Sequence, residues 1–257
     1  MATVREIEAR LYDWAPHELA ESWDNVGLLV GSGEREVKKI LVALDITETV
    51  AQEALDMGAD LIVAHHPVMN CTWHKVQNVL DDNAQGRILT KLLKGDVAAI
   101  CMHTNLDAAE GGVNDCLAEK LRICNTIPLN EEKIGRVGTL SCEKGLEEFL
   151  PVVVKSLSCK GLRYRDGGKR VHKVAVGGGA CGDFIPQALA LGCDTFVTSD
   201  LSYHEFLDTQ GLNLIDAGHF PTENVVCDAI KAYLDKQFPD TETVISTLHR
   251  DVIQYYM

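Results

Sequence analysis

The chain lacks the features of a membrane or secreted protein. It contains no uninterrupted apolar run of about 18 residues, and its N-terminal segment, MATVREIEARLYDWAPHELAESWDNVG, carries charges throughout. Its nine cysteines are odd in number and include no C-x-x-C pair, which argues against a disulfide framework and against a cysteine zinc site. We therefore expect a cytoplasmic protein, without a membrane span, whose cysteines are reduced and mostly structural.

Positive charge is scarce as well. Lys and Arg total 24 against 38 Asp and Glu, so the formal net charge is −14. A field of this sign repels phosphate backbones, and we do not expect a DNA partner. One segment is locally basic, with Lys155, Lys160, Arg163, Arg165, Lys169 and Arg170. A run of this kind is typical of a solvated face.

A Walker-type nucleotide-binding signature is also missing. The chain has no G-x-x-x-x-G-K-[ST] motif, and we do not interpret its glycine-rich stretch VGGGACGD, residues 176–183, as a dinucleotide-binding fingerprint. Glycine amides at a helix N-terminus can bind phosphate. A close-packed turn from a strand into a helix is nevertheless the favoured interpretation of this stretch.

An internal repeat indicates the fold. Residues 37–67, VKKILVALDITETVAQEALDMGADLIVAHHP, align without a gap with residues 171–201, VHKVAVGGGACGDFIPQALALGCDTFVTSDL. In each copy an apolar β-branched run leads into a helical pattern, which a glycine ends before a second buried strand. This is the βαβ pattern of parallel strands. The shared Gly-x-Asp before the second strand, at Gly58 and Gly192, favours a true duplication over two unrelated βαβ units.

The predicted fold class is therefore α/β: a three-layer α/β/α structure built from two pseudo-symmetric, duplicated βαβ halves packed as one body. Half 1 is expected at about residues 1–125 and half 2 at about 126–257. With 46% hydrophobic residues the chain can bury a sizeable core.

Histidines and acids follow several of the predicted strands. They are His65 and His66 after DLIVA, His103 and Asp107 after DVAAICM, and His219 and Glu223 after LNLIDAG. Carboxyl ends of parallel strands share one edge of a sheet, where ligand sites collect. Imidazoles and carboxylates together suit Zn, Mn, Fe, Co or Ni.

Each of these residues also has an explanation that involves no metal. A single histidine is more often hydrogen-bonded than metal-bound, and Asp107 and Glu223 can serve as helix caps or interact with a helix dipole. Two adjacent histidines at a buried strand end carry a desolvation cost that calls for partners. Because neighbouring strand residues face opposite sides, and because Pro67 favours an extended His66, we expect the imidazoles of His65 and His66 to diverge, which suits two ions.

Four motifs in order make the chain resemble a known family. SWDNVGLLVG (22–31), GADLIVAHHP (58–67), HTNLDAAEGGVND (103–115) and GHFPTE (218–223) are spaced as in the GTP cyclohydrolase I type 2 homologues, a dinuclear-metal-centre family related to the yeast NGG-interacting factor. The resemblance covers essentially the full length. It implies that two divalent metal ions are held by His65, His66, Asp107, His219 and Glu223, and that the protein forms a toroidal homohexamer.

The resemblance also implies a metal-dependent hydrolase acting on a nucleotide or a related phosphorylated small molecule. A pair of ions would lower the pKa of water toward neutrality for attack on an electrophile. His103, four residues before Asp107, is a candidate proton donor or a partner of a ligand. The alternative is a nonenzymatic metal-binding or adaptor protein that acts through protein partners. Tyr203 and His204 follow the second-copy strand, and we leave both out of the ligand set.

Overall fold

A computed structural model describes residues 1–256 and divides the chain into two compact units. Unit 1 comprises Met1–Ala109 and Cys227–Arg250, and unit 2 comprises Glu110–Val226 together with the segment that begins at Asp251. Within residues 1–256, no helix combines the length and the apolar character needed to cross a membrane.

The described residues form thirteen strands and ten α-helices, with short 3₁₀ turns at His17–Leu19 and Gly182–Phe184. The strands are β1 (Ala2–Thr3), β2 (Gly27–Val30), β3 (Glu36–Val37), β4 (Lys39–Ala43), β5 (Leu61–Ala64), β6 (Ala98–Cys101), β7 (Cys124–Pro128), β8 (Arg136–Lys144), β9 (Arg163–Arg165), β10 (Val171–Val176), β11 (Thr195–Thr198), β12 (Asn213–Asp216) and β13 (Glu242–Ile245). The helices are α1 (Val4–Trp14), α2 (Glu48–Asp56), α3 (Ala84–Lys94), α4 (Thr104–Ala108), α5 (Val113–Lys120), α6 (Leu146–Leu157), α7 (Ile185–Ala190), α8 (Tyr203–Asp208), α9 (His219–Glu223) and α10 (Val226–Gln237).

Unit 1 is built on a five-stranded sheet in the order β13-β4-β5-β6-β2. The first four strands are parallel and β2 is antiparallel to β6. Strands β4 and β5 read as continuous apolar runs, KILVA and LIVA, and are almost wholly buried. Continuous apolar runs of this kind are typical of parallel strands that are covered on both faces. Their core packs against α2 and α3 through side chains such as Val50, Ala54 and Leu89.

Unit 2 is built on a six-stranded sheet in the order β7-β8-β10-β11-β12-β9. The three strands β10, β11 and β12 are parallel, and the flanking pairs are antiparallel. Phe149 of α6 is fully buried among Val174, Val197 and Ile215 of the parallel strands. Strand β7 was not anticipated, because all five of its residues are exposed and it carries no buried apolar pattern.

The repeated βαβ unit is confirmed in detail. The carboxylate of Asp60 accepts hydrogen bonds from the amides of Lys38 and Lys39 at 2.8 and 3.1 Å. In the second copy, Asp194 accepts the equivalent bonds from the amides of His172 and Lys173 at 2.9 and 2.6 Å. Each carboxylate thus links the start of the second strand to the start of the first.

The paired glycines have the same role in each copy. Gly58 and Gly192 follow α2 and α7 with φ of +68° and +70°, the left-handed conformation that glycine adopts at a helix C-terminus. The α/β class and the duplication are therefore confirmed. The prediction that the two halves pack as one body stays a prediction.

Candidate metal centre

In unit 1, polar side chains follow the carboxyl ends of three neighbouring parallel strands. Asp45 lies just after β4, His65 and His66 come directly after β5, and His103 lies just after β6. The position at strand ends that the sequence predicts is confirmed for the three histidines.

The three histidines converge on one another. One ligand nitrogen from each of His65, His66 and His103 lies within 4.8 Å of the other two. All three are buried. The expectation that His65 and His66 would diverge is wrong: their ring centroids are 5.0 Å apart. Strand β5 ends at Ala64, so the alternation of side chains along a strand does not extend to these two residues.

Each of these histidines is oriented through its Nδ1 atom. Nδ1 of His65 donates a hydrogen bond to the backbone carbonyl of Met102 at 2.7 Å, and Nδ1 of His66 donates to Asp45 at 2.7 Å. A carbonyl oxygen only accepts, and a carboxylate does the same when ionised, so Nδ1 carries the proton. In this tautomer Nε2 carries the lone pair that a metal ion binds.

A carboxylate accompanies the histidines. Asp107 lies in α4, which His103 precedes, and Oδ1 of Asp107 is 3.7 Å from Nε2 of His65. The aspartate is buried. The i, i+4 spacing that the sequence shows between His103 and Asp107 therefore places both side chains next to the histidine pair.

His103 forms a dyad with Asp24. Nδ1 of His103 lies 2.9 Å from Oδ1 of Asp24, whose other oxygen accepts bonds from the amide and hydroxyl of Thr104 at 3.0 and 2.6 Å. Burial raises the pKa of the Asp24 carboxyl, but the hydrogen bonds from His103 and Thr104 and the charge of His103 outweigh it and lower the pKa to about 2. The carboxylate is thus ionised and fixes the orientation of the imidazole.

In unit 2, His219 and Glu223 stand one helical turn apart in α9. Nε2 of His219 is 3.0 Å from Oε2 of Glu223, and its Nδ1 is 2.6 Å from Asp200, which follows β11. Burial lowers the pKa of His219, but the charges of Glu223 and Asp200 and the hydrogen bonds to them outweigh this effect and raise it to about 11. The two carboxylates thus stabilise the imidazolium of His219.

The glycine-rich turn after β10 accommodates Glu223. A Cβ atom on Gly179, where φ is +68°, would lie 2.1 Å from Oε1 of Glu223, and one on Gly178 would lie 2.8 Å from the Val113 side chain. The amides of Gly178 and Gly179 are bound to the side-chain oxygens of Asn114 and Thr222 at 2.9 and 3.1 Å. Close packing, the interpretation favoured from the sequence, is therefore confirmed for this turn, and its amides are engaged within the protein.

The donors fit a divalent metal. Imidazole nitrogens and carboxylate oxygens are the ligands that Zn, Mn, Fe, Co and Ni accept, and no thiol belongs to either group. Unit 1 brings together four of the six predicted residues, and unit 2 pairs the other two; the four are His65, His66, His103 and Asp107, and the pair is His219 and Glu223.

Sequence reasoning missed the residues that orient the histidines. Asp45 and Asp200 lie at strand ends, so the argument that found the histidines applies to them too. Asp24 belongs to the quoted SWDN motif, but its hydrogen-bonding partner is 79 residues away in the chain. Tyr203 and His204 lie on α8, exposed, with ring centroids 5.5 Å apart.

Comparisons with known proteins agree with these motifs. Residues 2–252 match the family described as Duf34/NIF3 (NGG1p interacting factor 3). A protein of Clostridium perfringens strain 13 named "GTP cyclohydrolase 1 type 2 homolog" is 38% identical over 256 residues, which cover 95% of each chain.

Solved structures agree as well. A Bacillus cereus protein related to NIF3 has a TM-score of 0.91 at 26% identity, covering 100% of this chain and 99% of that one. Reduced HcgD from Methanocaldococcus jannaschii has a TM-score of 0.81 at 30% identity, covering 95% and 97% of the two chains. The resemblance recognised in the sequence is confirmed, and the chain belongs to the Duf34/NIF3 family.

Proposed function

We propose that the protein is a metal-dependent hydrolase with a dinuclear centre. The five ligands are His65, His66, Asp107, His219 and Glu223. The observation that supports this most strongly is shared by the histidines of both units: each of His65, His66 and His219 has Nδ1 against a carbonyl or carboxylate oxygen. Histidines that bind metals almost always have such an outer partner, which fixes the tautomer.

His103 is proposed as the proton donor. Its Nδ1 is bound to the ionised Asp24, and this hydrogen bond fixes the orientation of the imidazole, as proton transfer by a general acid requires. Two divalent ions, when bound, supply a Lewis acid and water of lowered pKa. His103 then provides the proton that a leaving group takes up.

The proposed substrate is a nucleotide or a related phosphorylated small molecule. The name of the Clostridium perfringens relative, "GTP cyclohydrolase 1 type 2 homolog", supports a substrate of this class. The amides of Gly178 and Gly179 are engaged by Asn114 and Thr222, so phosphate recognition is assigned to the metal ions and not to the glycine-rich turn.

A cytoplasmic homohexamer without a DNA partner completes the proposal. We exclude a DNA partner because the arginines of the basic segment, residues 155–170, make contacts within unit 2. Arg163 pairs with Asp216, Arg170 pairs with Glu143, and Arg165 donates to the carbonyl of Leu207. Light scattering of the purified protein tests the hexamer.

The test of the activity is hydrolysis of a nucleotide panel by protein reconstituted with Mn, Zn, Fe or Co. His66→Ala and Glu223→Ala should each abolish metal-dependent turnover. The matched controls His172→Ala and Glu119→Ala, both exposed, should retain it. Turnover that survives in both ligand variants would refute the hydrolase. Metal binding without turnover of any nucleotide would leave the nonenzymatic alternative.

A further inference from the structure

Two half-exposed tryptophans stand beside the histidine group of unit 1. The indole of Trp23 is in edge contact with the ring of His103 at a centroid distance of 6.0 Å. The indole of Trp73 makes similar contacts with His103 at 5.5 Å and with His66 at 6.0 Å. The chain has three tryptophans. Trp23 and Trp73 are 50% and 49% exposed, so much of each large apolar surface faces solvent next to buried polar groups.

Hydrogen bonds from neighbouring residues hold the segments that carry the two indoles. The residue after Trp23 is Asp24, whose carboxylate is bound to His103 and Thr104. The next residue, Asn25, donates from its side-chain amide to the carbonyl of Met69 at 2.7 Å, in the loop that carries Trp73. The motif SWDN, residues 22–25, therefore carries the first indole, orients the imidazole of His103 and binds the loop of Trp73.

The loop of Trp73 is held at further points. Nδ1 of His74 lies 3.2 Å from the carbonyl of Pro67, and the side chain of Gln85 donates to the carbonyl of Val68. A loop held in this way loses little conformational freedom on binding, which raises affinity for a matching ligand.

Exposed indoles recognise flat rings. Heteroaromatic bases stack on tryptophan faces irrespective of their hydrogen-bonding pattern, because each base presents a π-face. We propose that Trp23 and Trp73 form a binding subsite for a planar heteroaromatic ring, the base of a nucleotide being the matching class, beside the group of His65, His66 and His103. The subsite depends on the proposed function only for the hydrolysis of the bound ligand, because its binding is measured independently of turnover.

The experiment is calorimetric titration of the metal-loaded protein with three probes: GMP, CMP and ribose 5-phosphate, which lacks the ring. Both nucleotides should bind at least about tenfold more tightly than ribose 5-phosphate. Trp23→Leu and Trp73→Leu should each weaken nucleotide binding by about tenfold. The control is Trp14→Leu; Trp14 stacks on Tyr233 at 4.8 Å, apart from the histidines, and the change should alter affinity less than twofold.

Indole fluorescence provides a second measurement that does not depend on the folding of the leucine variants. In Trp14→Phe protein the remaining indoles are Trp23 and Trp73, and GMP and CMP should quench their emission saturably while ribose 5-phosphate does not. Equal affinity for ribose 5-phosphate and GMP, unchanged affinity in both leucine variants, or no binding of either nucleotide would overturn the subsite.

The outcomes separate the two proposals. Tryptophan-dependent nucleotide binding without hydrolysis under any metal supports the subsite and refutes the hydrolase. Hydrolysis whose KM is unchanged in Trp23→Leu and Trp73→Leu supports the hydrolase and refutes the subsite.

Discussion

Asp200 lies 2.6 Å from Nδ1 of His219 and occupies the position in the second repeat that His66 occupies in the first. A histidine in one copy thus corresponds, in the other, to a carboxylate that orients a histidine. In the first copy the orienting carboxylate is Asp45, which follows β4 and bonds His66. The two copies have diverged at the strand ends and have kept the βαβ framework beneath them.

Replacing Asp200 should weaken metal binding through His219. In Asp200→Asn the neutral amide oxygen is a poorer acceptor for Nδ1–H, and we expect about tenfold lower metal affinity. Competition with a chromophoric chelator measures this. Asp208→Asn removes the same charge from an exposed position and should bind metal normally. Equal affinity in the two variants would show that Asp200 does not orient a ligand.

Gly179→Ala should displace Glu223. The added Cβ would fall 2.1 Å from Oε1 of Glu223, and φ of +68° adds backbone strain. Gly211→Ala is the matched control, since φ is +71° there and nothing lies within 4 Å of its Cβ. Both variants should lose about 1 kcal/mol of stability from the positive φ, and Gly179→Ala should lose more because of the clash; thermal unfolding measures both losses. Only Gly179→Ala should lose metal. Similar metal contents would contradict the role given to this glycine.

Asp24→Asn separates two roles of His103. If the imidazole is a proton donor, the variant should keep its metal content and lose about a hundredfold or more in kcat, because no carboxylate then fixes the orientation of the imidazole. Loss of metal from this variant, measured by elemental analysis, would instead make His103 a ligand.

The carboxylate of Asp60 should stabilise unit 1 in a pH-dependent way. Burial raises its pKa, but hydrogen bonds from Lys38, Arg35 and Lys39 outweigh burial and lower it below the ordinary 3.8. A lowered folded-state pKa means that the stabilisation is present above about pH 4 and is lost as the pH falls through the folded-state value.

Urea unfolding of the protein and of Asp60→Asn measures this contribution. The two should differ by about 1–3 kcal/mol at pH 7, and the difference should shrink below pH 4. A difference that is independent of pH would show that the charge of Asp60 is not what holds the strand ends.

The fold was predictable where its signals are local. The strands β4, β5, β10 and β11 are short apolar runs, and Gly58 and Gly192 end the helices between them. Strand β13 is different, because it pairs with β4 from just over two hundred residues away, and its register depends on tertiary contacts. Exposed β7 lacked any hydrophobic signal.

The residues of the candidate site also differ in how far the sequence predicts them. Residue type and position after a strand identified His65, His66 and His103. The partners of these side chains, such as Asp24, are selected by packing between distant segments, and no spacing rule reports them. The sequence analysis did not single out Trp23 and Trp73. A sequence does not show that an indole is half exposed or that it lies near a histidine in the fold.

The most direct test of the account is the number of metal ions per chain. Protein purified without chelators and without a histidine tag, and then analysed by elemental mass spectrometry, should contain two divalent ions per chain. His66→Ala and Glu223→Ala should each lower that number, while His172→Ala should leave it at two. A value near one in the unaltered protein would contradict the dinuclear centre.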